Sequence, residues 1–210
     1  MKKLLGLFTA LLLALGAFAQ TPEEIISRME KEMEKHYEEG IVMTVDFKVP
    51  LLGNMTTKTY AKGDRLYLEG KMTGVDVVSW TDGVTEWTYN AQSNEVVIKD
   101  SNGPASQPGD AEIFSGISFG YDVFLKEERN NAWHIQCKKS KSNKNKEDPK
   151  NIQLVIEKDT YHPISLSTKM SGVFITLHDI SFGVSDERVT FNPEDYPTAT
   201  IIDKRQNPQE

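Results

Sequence analysis

The sequence predicts a mainly β (α+β) domain: an incomplete antiparallel β-barrel, or half-barrel, covered by an N-terminal helix and a short helical lid insert. Two observations support this fold class. From residue 41 onward, apolar side chains recur at every second position in a series of short segments, which is typical of half-buried strands. Short turns such as Asp82-Gly83 and Ser171-Gly172 join most of these segments, and turns of that length connect antiparallel neighbours.

The start of the sequence has the three parts of a secretory signal peptide. A cationic start and an apolar run from Leu4 to Ala14 precede the small-residue ending Ala17-Phe18-Ala19. We therefore predict a signal peptide over 1–19 and a single domain over 20–210. Cleavage would expose Gln20 rather than the cysteine that carries acyl chains in bacterial lipoproteins, so we expect export to the periplasm without a lipid anchor.

Composition and spacing exclude several classes of ligand. The formal net charge of −7 becomes −9 when Lys2 and Lys3 leave with the signal peptide, whereas nucleic-acid binding requires a basic face. The histidines lie at positions 36, 134, 162 and 178. Their spacing is not that of zinc ligands, so we predict no metal site. We also predict no cofactor, and the negative net charge predicts no nucleic-acid partner.

A capped amphipathic helix opens the domain. Thr21, Pro22 and Glu24 supply an N-cap, a proline at the first helical position and a glutamate three residues after the cap. Apolar side chains then recur at helical spacing, at Ile25, Ile26, Met29, Met33 and Tyr37. Gly40 marks the end of the helix. We expect this helix to lie on an apolar surface.

Period-two patterns predict the strands. We expect them at about 41–49, 55–62, 64–70, 75–81, 84–90, 94–99, 132–138, 151–157, 163–170, 173–182 and 199–203. The stretch from Ser101 to about Asn130 carries a loop and many apolar residues, for which we predict one or two short helices. This insert and the N-terminal helix are expected to cover the open side of the sheet.

The hairpin at Asp82-Gly83 predicts an aromatic face. A two-residue turn there pairs Trp80 with Thr85. One side of the hairpin then carries Val78, Trp80, Trp87 and Tyr89, and the other carries Val77, Ser79, Glu86 and Thr88. We expect the aromatic side to face the apolar interior of the curved sheet.

The stretch Gly116-Ile117-Ser118-Phe119-Gly120 matches the G-x-S-x-G pattern of serine hydrolases. In those enzymes a strained turn between a strand and a helix of a parallel α/β sheet presents the serine. The antiparallel strands predicted here do not supply that context, so we predict a lid segment and no enzymatic activity. A serine hydrolase is the third interpretation, and it requires hydrolysis that Ser118→Ala abolishes.

Two segments carry a resemblance to a known family. One is Ser79 to Asn90, with a strand, Asp-Gly, a tryptophan, an aromatic residue and an asparagine in succession. The other is the ending Phe191-Asn192-Pro193-Glu194-Asp195-Tyr196-Pro197, followed by Ile202-Asp203-Lys204-Arg205. They resemble the LolA family, the periplasmic lipoprotein carriers of Gram-negative bacteria, and the similarity extends over nearly all of 20–210.

The resemblance implies both a fold and a function. In that family, helices cover an incomplete antiparallel barrel whose cavity holds lipoprotein acyl chains on the way from an inner-membrane ABC transporter to the outer membrane. It implies a monomeric periplasmic carrier of lipoprotein acyl chains or lipid, with that lipoprotein-releasing transporter and an outer-membrane acceptor as partners. Where the best-known members have an Arg-Pro pair that ties lid to barrel, this chain has Tyr60 to Arg65, so Lys62 and Arg65 are the candidates for a lid latch.

The predicted cavity lining comes from the first helix, the sheet and the insert. It comprises Met29, Met33, Leu66, Leu68, Val78, Trp80, Trp87, Tyr89, Ile113, Phe114, Ile117 and Phe124. Strand alternation identifies a face without deciding whether a ligand or neighbouring side chains fill it. The alternative function is therefore an envelope interaction or sensor module that has the same fold with a packed interior.

Overall fold

The computed structural model describes residues 20–50, 53–72, 74–101 and 114–206. The predicted signal peptide at 1–19 and the predicted cavity residue Ile113 lie outside these ranges. Within them, the chain forms one 12-stranded sheet, one long helix and two short helical turns.

Strands dominate the described chain. Helix α1 spans Pro22–Lys35, helix α2 spans Ile117–Gly120, and a 3-10 helix spans Pro193–Asp195. The strands are β1 Ile41–Val49, β2 Gly53–Lys62, β3 Arg65–Met72, β4 Val75–Thr81, β5 Thr85–Asn90, β6 Glu95–Asp100, β7 Tyr121–Arg129, β8 Ala132–Lys139, β9 Asn151–Glu157, β10 Pro163–Met170, β11 Val173–Phe182 and β12 Thr200–Asp203. The predicted N-terminal helix and all of the predicted strands are present.

Helix α1 begins at the predicted capping signals. Thr21 Oγ1 accepts a hydrogen bond from the backbone N–H of Glu24, and Glu24 Oε2 accepts one from the N–H of Thr21, each at 3.2 Å. The buried face of the helix consists of Ile25, Ile26, Met29 and Met33. Gly40 follows at φ +77°, where a Cβ would lie 2.7 Å from the backbone oxygen of Ala61. The connection from α1 to β1 therefore requires glycine.

The sheet consists of two meanders that meet at its centre. The strand order is β12-β6-β5-β4-β3-β2-β1-β11-β10-β9-β8-β7, with β12 and β7 at opposite edges. The neighbouring pairs are antiparallel, as the short turns predict, except that β12 pairs with β6 in parallel. A long connection before β12 permits that parallel pairing. The sheet remains open, which confirms the predicted half-barrel.

The predicted helical insert is wrong over its second half. Residues Tyr121–Arg129 form β7 and pair with β8, and α2 is only four residues long. Val123 is buried in the core, and Leu125 packs against it. Phe124, between them, lies on the opposite face. It makes residues 123–125 a continuous apolar run, in which the alternation of a strand is not visible. Periodicity does not distinguish a strand from a helix in such a run.

The hairpin between β4 and β5 has a longer loop than the predicted two-residue turn. Asp82 Oδ1 accepts hydrogen bonds from the N–H groups of Val84 at 2.9 Å and Thr85 at 2.7 Å, which stabilises the wider turn. Trp80 therefore lies opposite Trp87, a register two residues away from the predicted one. Because side chains alternate with period two, the grouping of the aromatic residues on one side is confirmed although the register was wrong.

Different parts of the chain cover the two faces of the sheet. Helix α1 packs on one face, the helix face, where Met43, Leu154 and Leu177 are buried. Residues 184–198, which we name the strap, run from the end of β11 across the opposite face to β12. On that strap face Tyr67, Trp80, Val184 and Val189 are buried. Each face thus has its own apolar cluster.

Candidate functional site

The core under α1 brings together predicted site residues from separate parts of the chain. Met29 and Phe114 are fully buried, and Met33 is 3% exposed. The same cluster includes Leu66 of β3 and Ile117 of α2, and Leu68 packs against it partly buried. The helix, the sheet and the segment 114–120 therefore share one apolar interior.

The apolar part of the helix face ends at β3. Leu68 pairs with Ser79 of β4, whose Oγ lies 3.2 Å from Thr88 Oγ1 of β5. On the same side, Lys99 Nζ lies 3.0 Å from Glu86 Oε1. The strands that contribute to the buried apolar cluster of the helix face are therefore β1–β3 and β7–β11.

A groove of about 460 Å³ separates α1 from the segment 114–120. It is lined by Ser27, Glu30, Lys31, Met33, Glu34, Tyr37, Phe114, Ser115, Gly116, Ser118 and Phe119. Met33 and Phe114 connect this groove to the core, whereas Phe119 is 90% exposed. The volume is within the range of about 300–1,000 Å³ that is usual for small-molecule sites. The groove therefore borders the apolar interior at Met33 and Phe114 and lies beside a projecting aromatic ring.

Ser118 attaches the segment 114–120 to α1. Its Oγ donates to Glu30 Oε2 at 2.6 Å, and its backbone N–H donates to Glu30 Oε1 at 3.0 Å. The residue lies in a single helical turn that leads into the edge strand β7, and not in the strand-to-helix elbow of a hydrolase. In this geometry the serine of the G-x-S-x-G pattern holds two elements together. Nothing in the sequence pattern predicted that Glu30 would be its partner.

The predicted aromatic residues lie on the other face of the sheet. Trp80 and Trp87 have ring centroids 5.4 and 5.5 Å from that of Phe191, and Tyr89 lies 4.5 Å from Tyr196. Val78 packs partly buried in the same cluster. The expectation that this side faces the same interior as Met29 and Leu66 is wrong, because successive side chains of β3 and β4 alternate and the strap fills the aromatic side.

Phe124 also lies away from the core. It is 44% exposed, and Lys138 Nζ is 5.3 Å from its ring centroid. The bulge in β7 comes after Leu125, so Phe124 keeps the orientation opposite to that of Val123. The structure thus separates Phe124 from the predicted cavity residues of the helix face.

The two candidate latch residues contact the strap. Lys62 Nζ donates to the backbone oxygen of Val184 at 3.1 Å and lies 3.3 Å from Asp186 Oδ1. Arg65 Nη1 donates to Thr190 Oγ1 at 3.4 Å. Both side chains lie on the strap side of β2 and β3. The prediction that they hold a helical lid against the barrel is therefore wrong.

Several polar side chains lie inside the core of the helix face, among them those of Thr59 and Cys137. Thr59 is fully buried, and its Oγ1 has no hydrogen-bond partner among the described residues. Cys137 is buried, as the alternation of Trp133, Ile135 and Cys137 predicts, and burial raises the pKa of its thiol to about 12. This thiol is therefore protonated and unreactive.

The structure also brings together a cluster of three titratable side chains that the sequence did not predict. Glu32 of α1, His36 directly after α1 and His162 of the β9–β10 loop place their ligand atoms within 4.8 Å of one another. The spacing of four residues between Glu32 and His36 was visible in the sequence, but the approach of His162 depends on the fold.

A second concavity, of about 1020 Å³, has a different character. It is lined by residues 146–151, 153, 167–172 and 174, most of them polar or charged. Gln153, Ser167 and Phe174 belong to it and face away from α1. This concavity offers no path to the core.

Within the described ranges, no helix has the length and apolar character required to cross a membrane.

Sequence comparison gives limited information about this chain. No protein-family profile matches it. A stretch of 98 residues is 34% identical to an NAD-dependent malic enzyme from Photorhabdus laumondii, over 47% of this chain. The match covers only 14% of that enzyme. The described sheet is antiparallel except for the β12–β6 pair, whereas a dinucleotide-binding fold has a mostly parallel sheet, and the match covers too little of the enzyme for its activity to be carried over.

The observed architecture can be compared with solved structures. It is an open, mostly antiparallel half-barrel with a helix across one face, which is the fold that the resemblance predicts. The chain shares this fold with lipoprotein LppX of Mycobacterium tuberculosis, at a TM-score of 0.50 and 10% identity, over 77% of this chain and 95% of that one.

Two further solved structures have lower scores. An uncharacterized conserved protein from Thermus thermophilus matches at a TM-score of 0.49 and 16% identity, over 88% of this chain and all of that one. A LolA superfamily protein from Nitrosomonas europaea matches at 0.35 and 9% identity, over 82% and 99% of the two chains.

Proposed function

We propose that the protein is a periplasmic carrier that binds the acyl chains of a lipoprotein, or another lipid, in the core under α1. The observation that supports this function is the groove between α1 and the segment 114–120, which leads to the buried Met33 and Phe114. The fold supports it as well, since an open sheet with a separate helix over its apolar face permits access between the two. Phe119, exposed at the groove, would make the first contact with the ligand.

Binding would require the segment 114–120 to move away from α1. The Ser118–Glu30 hydrogen bonds hold it in the closed arrangement. About a dozen buried methylenes contribute about 10 kcal/mol, and displacing two apolar side chains such as Phe114 and Met33 costs about 2–3 kcal/mol each. The difference leaves several kcal/mol for opening and for ordering the chain.

The carrier proposal includes a route and partners. The lipid would come from an inner-membrane lipoprotein-releasing ABC transporter and pass to an outer-membrane acceptor, with the predicted signal peptide directing the chain to the periplasm. Release needs no catalysis, because an acceptor with higher affinity for the acyl chains shifts the equilibrium by mass action. We propose that the carrier acts as a monomer and is not an enzyme.

One observation favours the second candidate, an envelope interaction or sensor module with a packed interior. Ile25, Ile26 and Met29 are fully buried against the sheet, so the core is filled in the closed arrangement. Such a module would exchange partners at its surface and leave α1 in place.

Native mass spectrometry separates the two candidates. Protein purified from periplasm without detergent is titrated with a synthetic triacylated lipopeptide. The carrier proposal expects a co-purifying lipid or a saturable one-to-one complex. An empty protein that does not bind the lipopeptide would refute the carrier and leave the packed module as the better explanation.

Matched variants locate the binding region. Phe119→Asp changes a side chain that is 90% exposed, so the fold should persist while lipopeptide affinity falls at least about tenfold, the equivalent of 1.4 kcal/mol. Phe124→Asp is the control, since Phe124 lies on the opposite face. Phe114→Asp should weaken the complex further but also tests the core. Equal losses in Phe119→Asp and Phe124→Asp would contradict the proposed location.

A further inference from the structure

Helix α1 is held on both flanks, and the flank away from the groove has the geometry of a metal site. Glu30 and Met33 face the groove, whereas Glu32 lies on another side of α1, four residues before His36, the residue that caps the end of the helix. There they meet His162, which directly precedes β10. The chemistry of this cluster is independent of what the groove binds.

The three side chains converge on a single carboxylate oxygen. Glu32 Oε1 lies 3.7 Å from His36 Nε2 and 3.8 Å from His162 Nε2. These separations are longer than the hydrogen bonds of about 2.7–3.2 Å that nitrogen and oxygen form. Ligand atoms about 2.0–2.2 Å from a tetrahedral Zn²⁺ are separated from one another by about 3.3–3.5 Å. The two Glu32–imidazole separations are therefore a few tenths of an ångström longer than in such a site, and all three ligand atoms lie within 4.8 Å of one another.

A second carboxylate orients His36. Glu39 Oε2 lies 3.0 Å from His36 Nδ1; in the tautomer in which Nδ1–H donates to Glu39, Nε2 carries the lone pair and lies 3.7 Å from Glu32 Oε1. A lone pair and a carboxylate oxygen that face each other are stabilised by a cation between them. A carboxylate behind a ligating histidine is the usual outer partner in metal sites.

The rings are also held by packing. Phe182 of β11 stacks on His36 with a centroid distance of 3.9 Å and an interplanar angle of 10°, and its edge meets His162 at 5.0 Å. Lys35 Nζ contacts the other oxygen of Glu32 at 2.5 Å. This contact holds the carboxylate with Oε1 toward the two imidazoles.

We propose that Glu32, His36 and His162 bind a divalent transition-metal ion such as Zn²⁺, with water in the fourth position. Two imidazoles and a carboxylate are a common ligand set for such ions. Because the ligands come from α1 and from the β9–β10 loop, the bound ion would fasten the end of α1 to the sheet. It would oppose any movement of that helix.

The test uses tag-free protein that has been stripped with a chelator and titrated calorimetrically with Zn²⁺. The expected result is one ion per chain, with affinity at least about tenfold weaker in His36→Ala and in His162→Ala, and with a smaller loss in Glu39→Gln. His134→Ala is the matched control, because the side chains of His134 and His36 are 21% and 20% exposed and His134 lies outside the cluster.

Co²⁺ provides a second readout. Binding at three protein ligands and water should give the intense visible absorption of a tetrahedral ion, and the His36→Ala/His162→Ala double variant should lose it while its circular dichroism stays unchanged. The proposal is overturned if the stripped protein binds no Zn²⁺, if the double variant binds it as tightly as the parent, or if His134→Ala loses as much affinity as His36→Ala.

Discussion

Phe191→Ala tests whether the strap is an integral part of the fold. The Phe191 ring stacks on Trp87 at 5.5 Å with an interplanar angle of 14°, and it meets the Trp80 ring edge-to-face at 5.4 Å. Removing a fully buried phenylalanine costs about 3–5 kcal/mol, and each aromatic pair contributes about 0.5–1.5 kcal/mol beyond burial. Because Phe191 is only partly buried, we expect a loss of about 2–3 kcal/mol in the free energy of unfolding.

Urea unfolding followed by tryptophan fluorescence measures this loss. Two of the three tryptophans, Trp80 and Trp87, contact Phe191, so their emission reports the strap directly. The midpoint should fall with an unchanged m-value, and circular dichroism should give the same transition. Phe174→Ala is the control, because Phe174 is 48% exposed and packs mainly under Lys169, so we expect a loss of at most about 1 kcal/mol.

A loss below about 0.5 kcal/mol for Phe191→Ala, equal to that of the control, would show that the aromatic contacts do not hold the strap. A fluorescence transition that precedes the circular dichroism transition would instead show that the strap detaches before the sheet unfolds, contrary to the expectation of a single cooperative unit.

Two further predictions concern individual positions. Cys137, whose pKa burial raises to about 12, should resist a thiol reagent at neutral pH until urea unfolds the chain, and rapid labelling of the folded protein would contradict its burial. Gly40→Ala should lower the free energy of unfolding by about 3 kcal/mol, because the left-handed conformation costs about 1–2 kcal/mol and the new Cβ meets the Ala61 carbonyl. Gly53 also has positive φ, but a Cβ there would meet no atom of the described residues within 4 Å, so Gly53→Ala should cost only about 1–2 kcal/mol. Equal losses in the two variants would show that the close contact at Gly40 does not affect stability.

Local patterns account for the elements that were predicted correctly. The Thr21 capping box and the helical spacing of Ile25 and Met29 determine α1, since both signals act within a few residues. Period-two alternation determines the strands in the same way, and short turns determine their antiparallel order. Val123 and Leu125 of β7 follow the same alternation, but the apolar Phe124 between them made the segment a continuous apolar run, and the strand was not predicted.

The sequence by itself therefore determined the class of fold, the first helix and the identity of the apolar residues. Only the tertiary structure decided which face each one covers: Met29 lies under the helix, whereas Trp80 lies under the strap. It also decided the Ser118–Glu30 attachment and the approach of His162 to Glu32. The physical reason is that propensity and periodicity act between near neighbours in the chain. The contacts named here join residues far apart in the sequence, which meet only when α1, the strap and the segment 114–120 pack on the sheet.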